Sequence, residues 1–400
     1  MAAGCQCVVL EGIQVPGSQL SLRGRMVDSE EYEDWMVESI RLYKDLHDFE
    51  LQDPTRVIEW IGEKSICVAG YDDTKTNEVL QLLFPQKLNV KENPGLCPER
   101  DLKVEHGGFS EQPVCSLRHV PGTSLLLTSG PASGVVQVWQ IGAEDKDVIK
   151  HAGSIQSDAS TDTWTKIATS AAASPCVVHG SKTNSVHVTE IESTKQIYTL
   201  AESSSEAVST LSFLDPHTFH LCCLSGRQIM ADVRQPEISC EGHVALATPS
   251  SAHWCAAVKP ANQDTHAIIA SLSSEGHIIL ADTRNLVAPL KCARGNASDS
   301  VLSQNFMCIR WAPRLEDCLS ISGFGSSVRI YDTQDWDTAG KEAEALFTHR
   351  GHHFMGGCDD GSAPWVTTHS WHPWKESTLV SAANDGSLHI WDWVDSAAGR

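Results

Sequence analysis

The chain is short of the features that usually announce chemistry. It carries fourteen cysteines but no Cys-x-x-Cys pair, which removes zinc-ribbon and thioredoxin-type motifs. Cys5 and Cys7 form a lone Cys-x-Cys, Cys222 and Cys223 are adjacent, and the rest are scattered through apolar runs. A chain of 400 residues also needs no disulfide staples, so the expectation is reduced, buried thiols. No G-x-S-x-G, P-loop or G-x-G-x-x-G is present. Nucleophile-elbow and phosphate-cradle chemistry therefore lack an anchor, and no catalytic or cofactor-binding residue is assigned. Apolar runs never approach the roughly 20 residues of a membrane-spanning helix, and residues 7–10 are too short for a secretory core. Positive charge is scarce as well: 30 Lys and Arg stand against 51 Asp and Glu, a formal net charge of −21. Nonspecific phosphate-backbone binding draws on clustered Lys and Arg, so direct nucleic-acid binding is not expected. The reading to this point is an intracellular, soluble protein with no membrane, metal or cofactor.

Apolar residues make up 41% of the chain and charged residues 20%, enough for a continuous core. Residues 347–395 set the pattern. They hold Gly351-His352, an apolar strand, a Pro turn at Pro373, a second strand, Asn384-Asp385-Gly386, and a third strand ending at Trp391-Asp392. The upstream chain repeats this text in worn form. Inner strands end near proline in Arg118-His119-Val120-Pro121, Phe213-Leu214-Asp215-Pro216, Ala257-Val258-Lys259-Pro260, Arg310-Trp311-Ala312-Pro313 and Ser370-Trp371-His372-Pro373. Proline presets its own φ and cannot donate into a following ladder, so each is a turn. A small-residue strand and a Gly- or Ser-rich turn follow. The third strand then ends at Trp139, Glu190, Asp232, Asp282, Asp332 or Asp392. Residues 65–83 supply a seventh, earlier unit without Trp or Asp. Short alternating runs with this punctuation predict an all-β chain, not βαβ units.

Before the repeats, residues 1–27 read as a loose, disordered extension without period. From Asp28 the signals change. Asp28-x-x-Glu31 has capping-box character, the first turn is acidic, and Met36, Ile40, Tyr43 and His47 share a helical face. This predicts a helix over residues 28–46 that docks on the body, followed by repeats through residue 396.

Gly-His about forty residues before Trp-Asp is the signature of WD-repeat β-propellers, and the chain resembles that family. One branch of it is matched further by residues 35–43 (Trp-Met-Val-Glu-Ser-Ile-Arg-Leu-Tyr), by Val90-Lys91-Glu92-Asn93, by His106 to Ser110, by residues 346–352 and by Trp391 to Asp395. The likeness runs from about Glu33 to the C-terminus. It implies an all-β fold, a seven-bladed WD-repeat β-propeller. It further implies a non-enzymatic scaffold in the cytoplasm, with microtubule and spindle-pole association at division, some nuclear presence, and association with the endonuclease-like subunits of the Integrator RNA-processing complex. A monomer is expected.

After Trp391 only nine residues remain, so the last blade lacks its own outer strand. The donor is the segment from Leu46 to Leu51 before the first blade, with Phe49 and Leu51 expected to pair with the strand around Ile390, which leaves no open seam. Family resemblance places a buried structural network on His352, Ser381, Asp385 and Trp391, where an indole and an imidazole need polar partners. A metal reading would recruit His349, His352, His353, Cys358, Asp359 or His369, but their spacing fits no standard ligand set. Asp232-Val233-Arg234 and Asp282-Thr283-Arg284 echo the Asp-x-Arg pattern of cullin-4 ubiquitin-ligase substrate receptors, although alanine precedes each where an aromatic belongs. Arg234 and Arg284 are therefore partner-contact candidates for that alternative. Long loops at residues 292–304 and 353–365 gather on one propeller face, the expected recognition surface.

Overall fold

We describe a computed structural model over residues 29–85, 101–131, 134–142, 147–157, 163–170, 174–243, 252–261, 266–295, 306–358 and 362–394. The expected extension over residues 1–27 lies outside them. The described chain begins with helix α1 (Ser29–Leu42), whose first turn carries Glu30 and Glu31 and whose last carries Arg41, the order the helix dipole favours. Strand β1 (Tyr43–Glu50) follows directly.

Seven sheets then follow in chain order. The first is β2 (Thr55–Ile61), β3 (Ser65–Gly70), β4 (Asn77–Leu83) and β5 (Lys103–Ser110); the second is β6 (Ser116–His119), β7 (Leu125–Ser129), β8 (Val135–Ile141) and β9 (Ile149–Gln156). The third is β10 (Lys166–Ser170), β11 (Cys176–Gly180), β12 (His187–Glu190) and β13 (Gln196–Thr199); the fourth is β14 (Val208–Phe213), β15 (Thr218–Cys223), β16 (Arg227–Asp232) and β17 (Ile238–His243). The fifth comprises β18 (Trp254–Lys259), β19 (Ile268–Ser273), β20 (His277–Asp282) and β21 (Asn285–Gly295). The sixth is β22 (Cys308–Trp311), β23 (Cys318–Ser322) and β24 (Val328–Asp332), completed by β26 (Phe347–His349). Between the last two, β25 (Lys341–Ala343) returns to pair in parallel with β21 as a fifth strand of the fifth sheet, a feature not legible in the repeat. A short helix, α2 (Gly351–Met355), leads to β27 (Val366–Trp371), β28 (Thr378–Ala383) and β29 (Ser387–Trp393). The result is a seven-bladed β-propeller.

Second strands are the driest part of each blade: every residue of β3, β11 and β28 is buried. Small and β-branched side chains there let successive blades stack face to face, with apolar clusters between them rather than one central core.

The seventh blade has the order β1-β29-β28-β27, so the N-terminal strand supplies its outer edge. In this register His47 lies opposite Ile390 and Phe49 opposite Leu388, within the strand around Ile390. Leu51 is past the strand end, where its N–H donates to Gly386 O at 2.8 Å. Gly386 has φ +90°, and a Cβ there would stand 2.8 Å from Leu51 O, so glycine is required where the closing segment lands. Phe49, 1% exposed, packs with Ile58, Ile66, Leu388 and Ile390 between the seventh and first blades. Tyr43 packs with Phe347, Trp391 and Trp393 between the sixth and seventh.

The helix is also corrected. It ends at Leu42, and the inner face is carried by buried Trp35 and Ser39, while Ile40 is 69% exposed. Tyr43 and His47 are buried on β1 instead. Pairing with β29 captures the chain from Tyr43 onward, and such non-local ladders override a local helical period. Trp35 stacks on Phe354 of α2 at 4.9 Å between ring centroids, and Glu31 meets Arg350 at 3.2 Å.

Candidate functional site

The polar groups of the seventh blade form one directed chain. Ser387 Oγ donates to Asp385 Oδ1 at 2.7 Å, so it accepts from His352 Nδ1 at 2.8 Å. That fixes the His352 tautomer, leaving Nε2 to accept from Ser381 Oγ at 2.8 Å. Ser381 in turn accepts from Trp391 Nε1 at 3.1 Å. Every donor has an acceptor, which is what fully buried His352, Ser381 and Trp391 require. The four expected residues are thus brought together, with Ser387 interposed between His352 and Asp385. The Asn-Asp-Gly turn is held by the same carboxylate, because Ser387 N donates to Asp385 Oδ1 at 3.0 Å.

A second chain lies beside the first. Tyr43 O–H is 2.8 Å from His349 Nδ1, and His349 Nε2 is 3.1 Å from His389 Nδ1. His389 Nε2 lies 3.1 Å from Asp48 Oδ1, a close contact off the ideal hydrogen-bond line. His389 stacks on His352 at 3.8 Å, and His349 on Trp391 at 4.5 Å. Burial, and then the neighbouring imidazoles, hold His349 and His352 well below the usual histidine range. Burial also raises the Tyr43 phenol. The glycine of the Gly-His pair is explained here: a Cβ on Gly351 would lie 2.6 Å from the His349 ring and 2.9 Å from His389 Nδ1.

His349, His352 and His389 offer nitrogens within 4.8 Å of one another, the grouping nearest to a metal site among the described residues. Both nitrogens of His349 and of His352 already have partners, so coordination would break the two chains. The arrangement is a polar fastener. Of the residues recruited by the sequence-based metal reading, His369 sits apart between Ser320 and Ser322 at 2.7 Å each. Cys358 faces Asn384, and Asp359 lies outside the described residues. His389 was missed, because one histidine inside an apolar strand gives no signal until the fold sets it beside two others.

Earlier blades improvise. Trp139 Nε1 donates to Thr128 in the second blade, and His179 bonds Thr189 in the third. In the fourth, Gln228 takes the histidine-partner role against His220.

Toward the loop face, Asp385 Oδ2 accepts from Gly357 N at 3.0 Å, and Trp365 N donates to Asn384 Oδ1 at 2.6 Å. The fastener therefore pins both ends of the segment after α2. Residue 292 belongs to β21, and residues 296–304 of the other long loop lie outside the described set. Arg234 closes on Asp232 through Nε at 2.9 Å and Nη2 at 2.6 Å. Arg284 does the same with Asp282 at 3.0 and 2.5 Å. These guanidinium groups hold both carboxyls down at about 2.

Comparison with known proteins completes the picture. No protein-family model matches the chain. It is 60% identical over 360 residues to the Integrator complex assembly factor WDR73 of Xenopus laevis, covering 90% of this chain and 98% of that protein. Identity to the proteins of the same name is 45% over 367 residues for Mus musculus and 44% over 375 for Homo sapiens, each covering 92% of this chain and 99% of the relative.

Proposed function

The chain belongs to the WDR73 family, and from that membership we propose that it is a non-enzymatic scaffold that assists assembly of the Integrator complex. The observation that carries this reading is near end-to-end similarity to proteins named as Integrator complex assembly factors. The ring supplies the physical means. A propeller stiffened by blade-to-blade packing presents loops whose positions are set by the scaffold, and recognition concentrates on such loops. Asp385 and Asn384 hold Gly357 and Trp365 at the two ends of one such loop. We further propose that the clients are the endonuclease-like Integrator subunits and that the chain works as a cytoplasmic monomer with some nuclear presence.

Affinity purification of the tagged full chain from dividing and resting cells, followed by mass spectrometry, tests the reading. Integrator subunits should co-purify stoichiometrically, and their absence from both preparations would overturn it. Spindle and microtubule association, implied by resemblance, is a separate proposal with no support in the relatives' names; microtubule co-sedimentation tests it. The cullin-4 receptor alternative needs Arg234 and Arg284 to reach outward, whereas each is closed on its own aspartate. Recovery of Integrator subunits by the unmodified chain and by an R234A/R284A variant alike, with the cullin-4 adaptor recovered by neither, removes it.

A further inference from the structure

The central channel carries charge opposite to that of the protein. Its wall takes residues from the inner strand of all seven blades and encloses about 160 Å³. Arg56, Arg118, Lys166 and Arg310 line it, and among the described residues no carboxylate does. In a chain of net charge −21, four cations on four inner strands are not a by-product of composition.

Local partners neutralise only part of this charge. Arg118 reaches Glu59 Oε2 at 3.2 Å. Arg310 lies beside the Cys308 thiol, but its buried Nε has no hydrogen-bond partner. Arg56 sits 4.3 Å over the Trp164 ring, and Lys166 Nζ is 3.0 Å from the same ring. Two cations thus share one indole. Lys166 keeps contact with the channel space although protein surrounds most of it, and burial followed by Arg56 pulls its ammonium well below the usual lysine range. A cation–π contact offsets only part of the cost of removing an ammonium from water, and a second cation nearby adds to that cost. Water in the channel would screen these charges, to which Glu59 beside Arg118 and the Cys308 sulfur beside Arg310 supply part of the counter-charge.

We propose that the channel binds a small phosphate-bearing anion, held among Arg56, Lys166 and Arg310. Donors converge from the first, third and sixth blades, and guanidinium forks from separate directions suit an oxyanion with several acceptor oxygens better than one planar carboxylate. The small volume and the position of the cations on the inner walls favour a small molecule over a peptide or nucleic-acid strand. Bridging three blades across the axis, the anion would tie the ring together from inside. This inference stands independently of the Integrator reading.

Thermal unfolding and isothermal titration of the full chain with sodium pyrophosphate, against sodium chloride and sodium citrate at matched ionic strength, test it. Pyrophosphate should raise Tm saturably and bind with defined stoichiometry, while chloride and citrate should not. Lys166→Met should weaken pyrophosphate binding at least tenfold, and Lys166→Arg should retain it. An absent or non-saturable pyrophosphate shift in the unmodified protein would overturn the proposal, whatever the variants do. So would equal stabilisation by citrate, or unchanged affinity in a folded K166M protein.

Discussion

His349 Nε2 stands 3.1 Å from His389 Nδ1, joining the sixth blade to the seventh, and the outer nitrogen of each ring faces the N-terminal strand through Tyr43 or Asp48. The N-terminal strand is therefore fastened by side-chain contacts across two blades as well as by its backbone ladder. Removing residues 1–51 should abolish a cooperative unfolding transition, and a soluble, cooperatively melting truncation would refute the closure. A milder probe is Phe49→Ala, which empties a site 1% exposed and should cost about 3–5 kcal/mol in urea denaturation.

The fastener can be dissected at Ser381, which serves both Trp391 and His352. Trp391→Phe removes one donor and should cost about 1–2 kcal/mol. Ser381→Ala strands two buried groups and should cost more. A double-mutant cycle should give a non-zero coupling, since residues in one network are not additive; strict additivity would contradict the chain.

Buried imidazoles make stability fall in acid. His179, His220 and His372 are held down at about 4, chiefly by burial, and His349 and His352 also lie well below their ordinary value. Above the ordinary value of about 6.5, native and unfolded imidazoles are both neutral and the linkage vanishes. Below it the unfolded chain takes protons that the native state refuses until pH reaches its lower native values. Each site then removes about 1.4 kcal/mol of stability per pH unit through this window. Denaturation at pH 5 and 7.5 should show that loss, and His179→Gln should flatten the slope by close to one proton.

Within the channel, burial pushes the Cys308 thiol up, but Arg310 and His369 outweigh it and leave it at about 6. Burial instead raises Cys222 to about 11 and pushes Cys255 well up. Iodoacetamide at pH 7 should therefore label Cys308 before either, because the thiolate is the nucleophile. Arg310→Gln should slow that labelling, as read by peptide mass spectrometry.

Arg234 and Arg284 are mostly exposed, at 62% each, and each forms an ion pair with the aspartate two residues before it. Replacing both with alanine should leave the denaturation midpoint unchanged, since exposed pairs contribute little. A clear loss of stability would show a structural role that the pairs do not display.

The repeat was legible because its signals are local. Proline after an inner strand, small residues in the second, and Asn-Asp-Gly before Leu-His-Ile-Trp-Asp each act within a few residues, so strand type and blade number follow from order alone. A borrowed outer strand for the last blade was expected too, and β1 supplies it. Its residue-by-residue register came only from the structure, with Leu51 past the strand end, and α1 was carried four residues too far, because Tyr43 to Leu46 satisfy a helical period until β29 offers a ladder. Only the closed ring set His389 against His349 and His352, and only the ring brought Arg56, Arg118, Lys166 and Arg310 around one axis. Each lies on a different blade, separated by tens of residues, and charge proximity of that kind has no periodicity in sequence; it exists once the inner strands face one another.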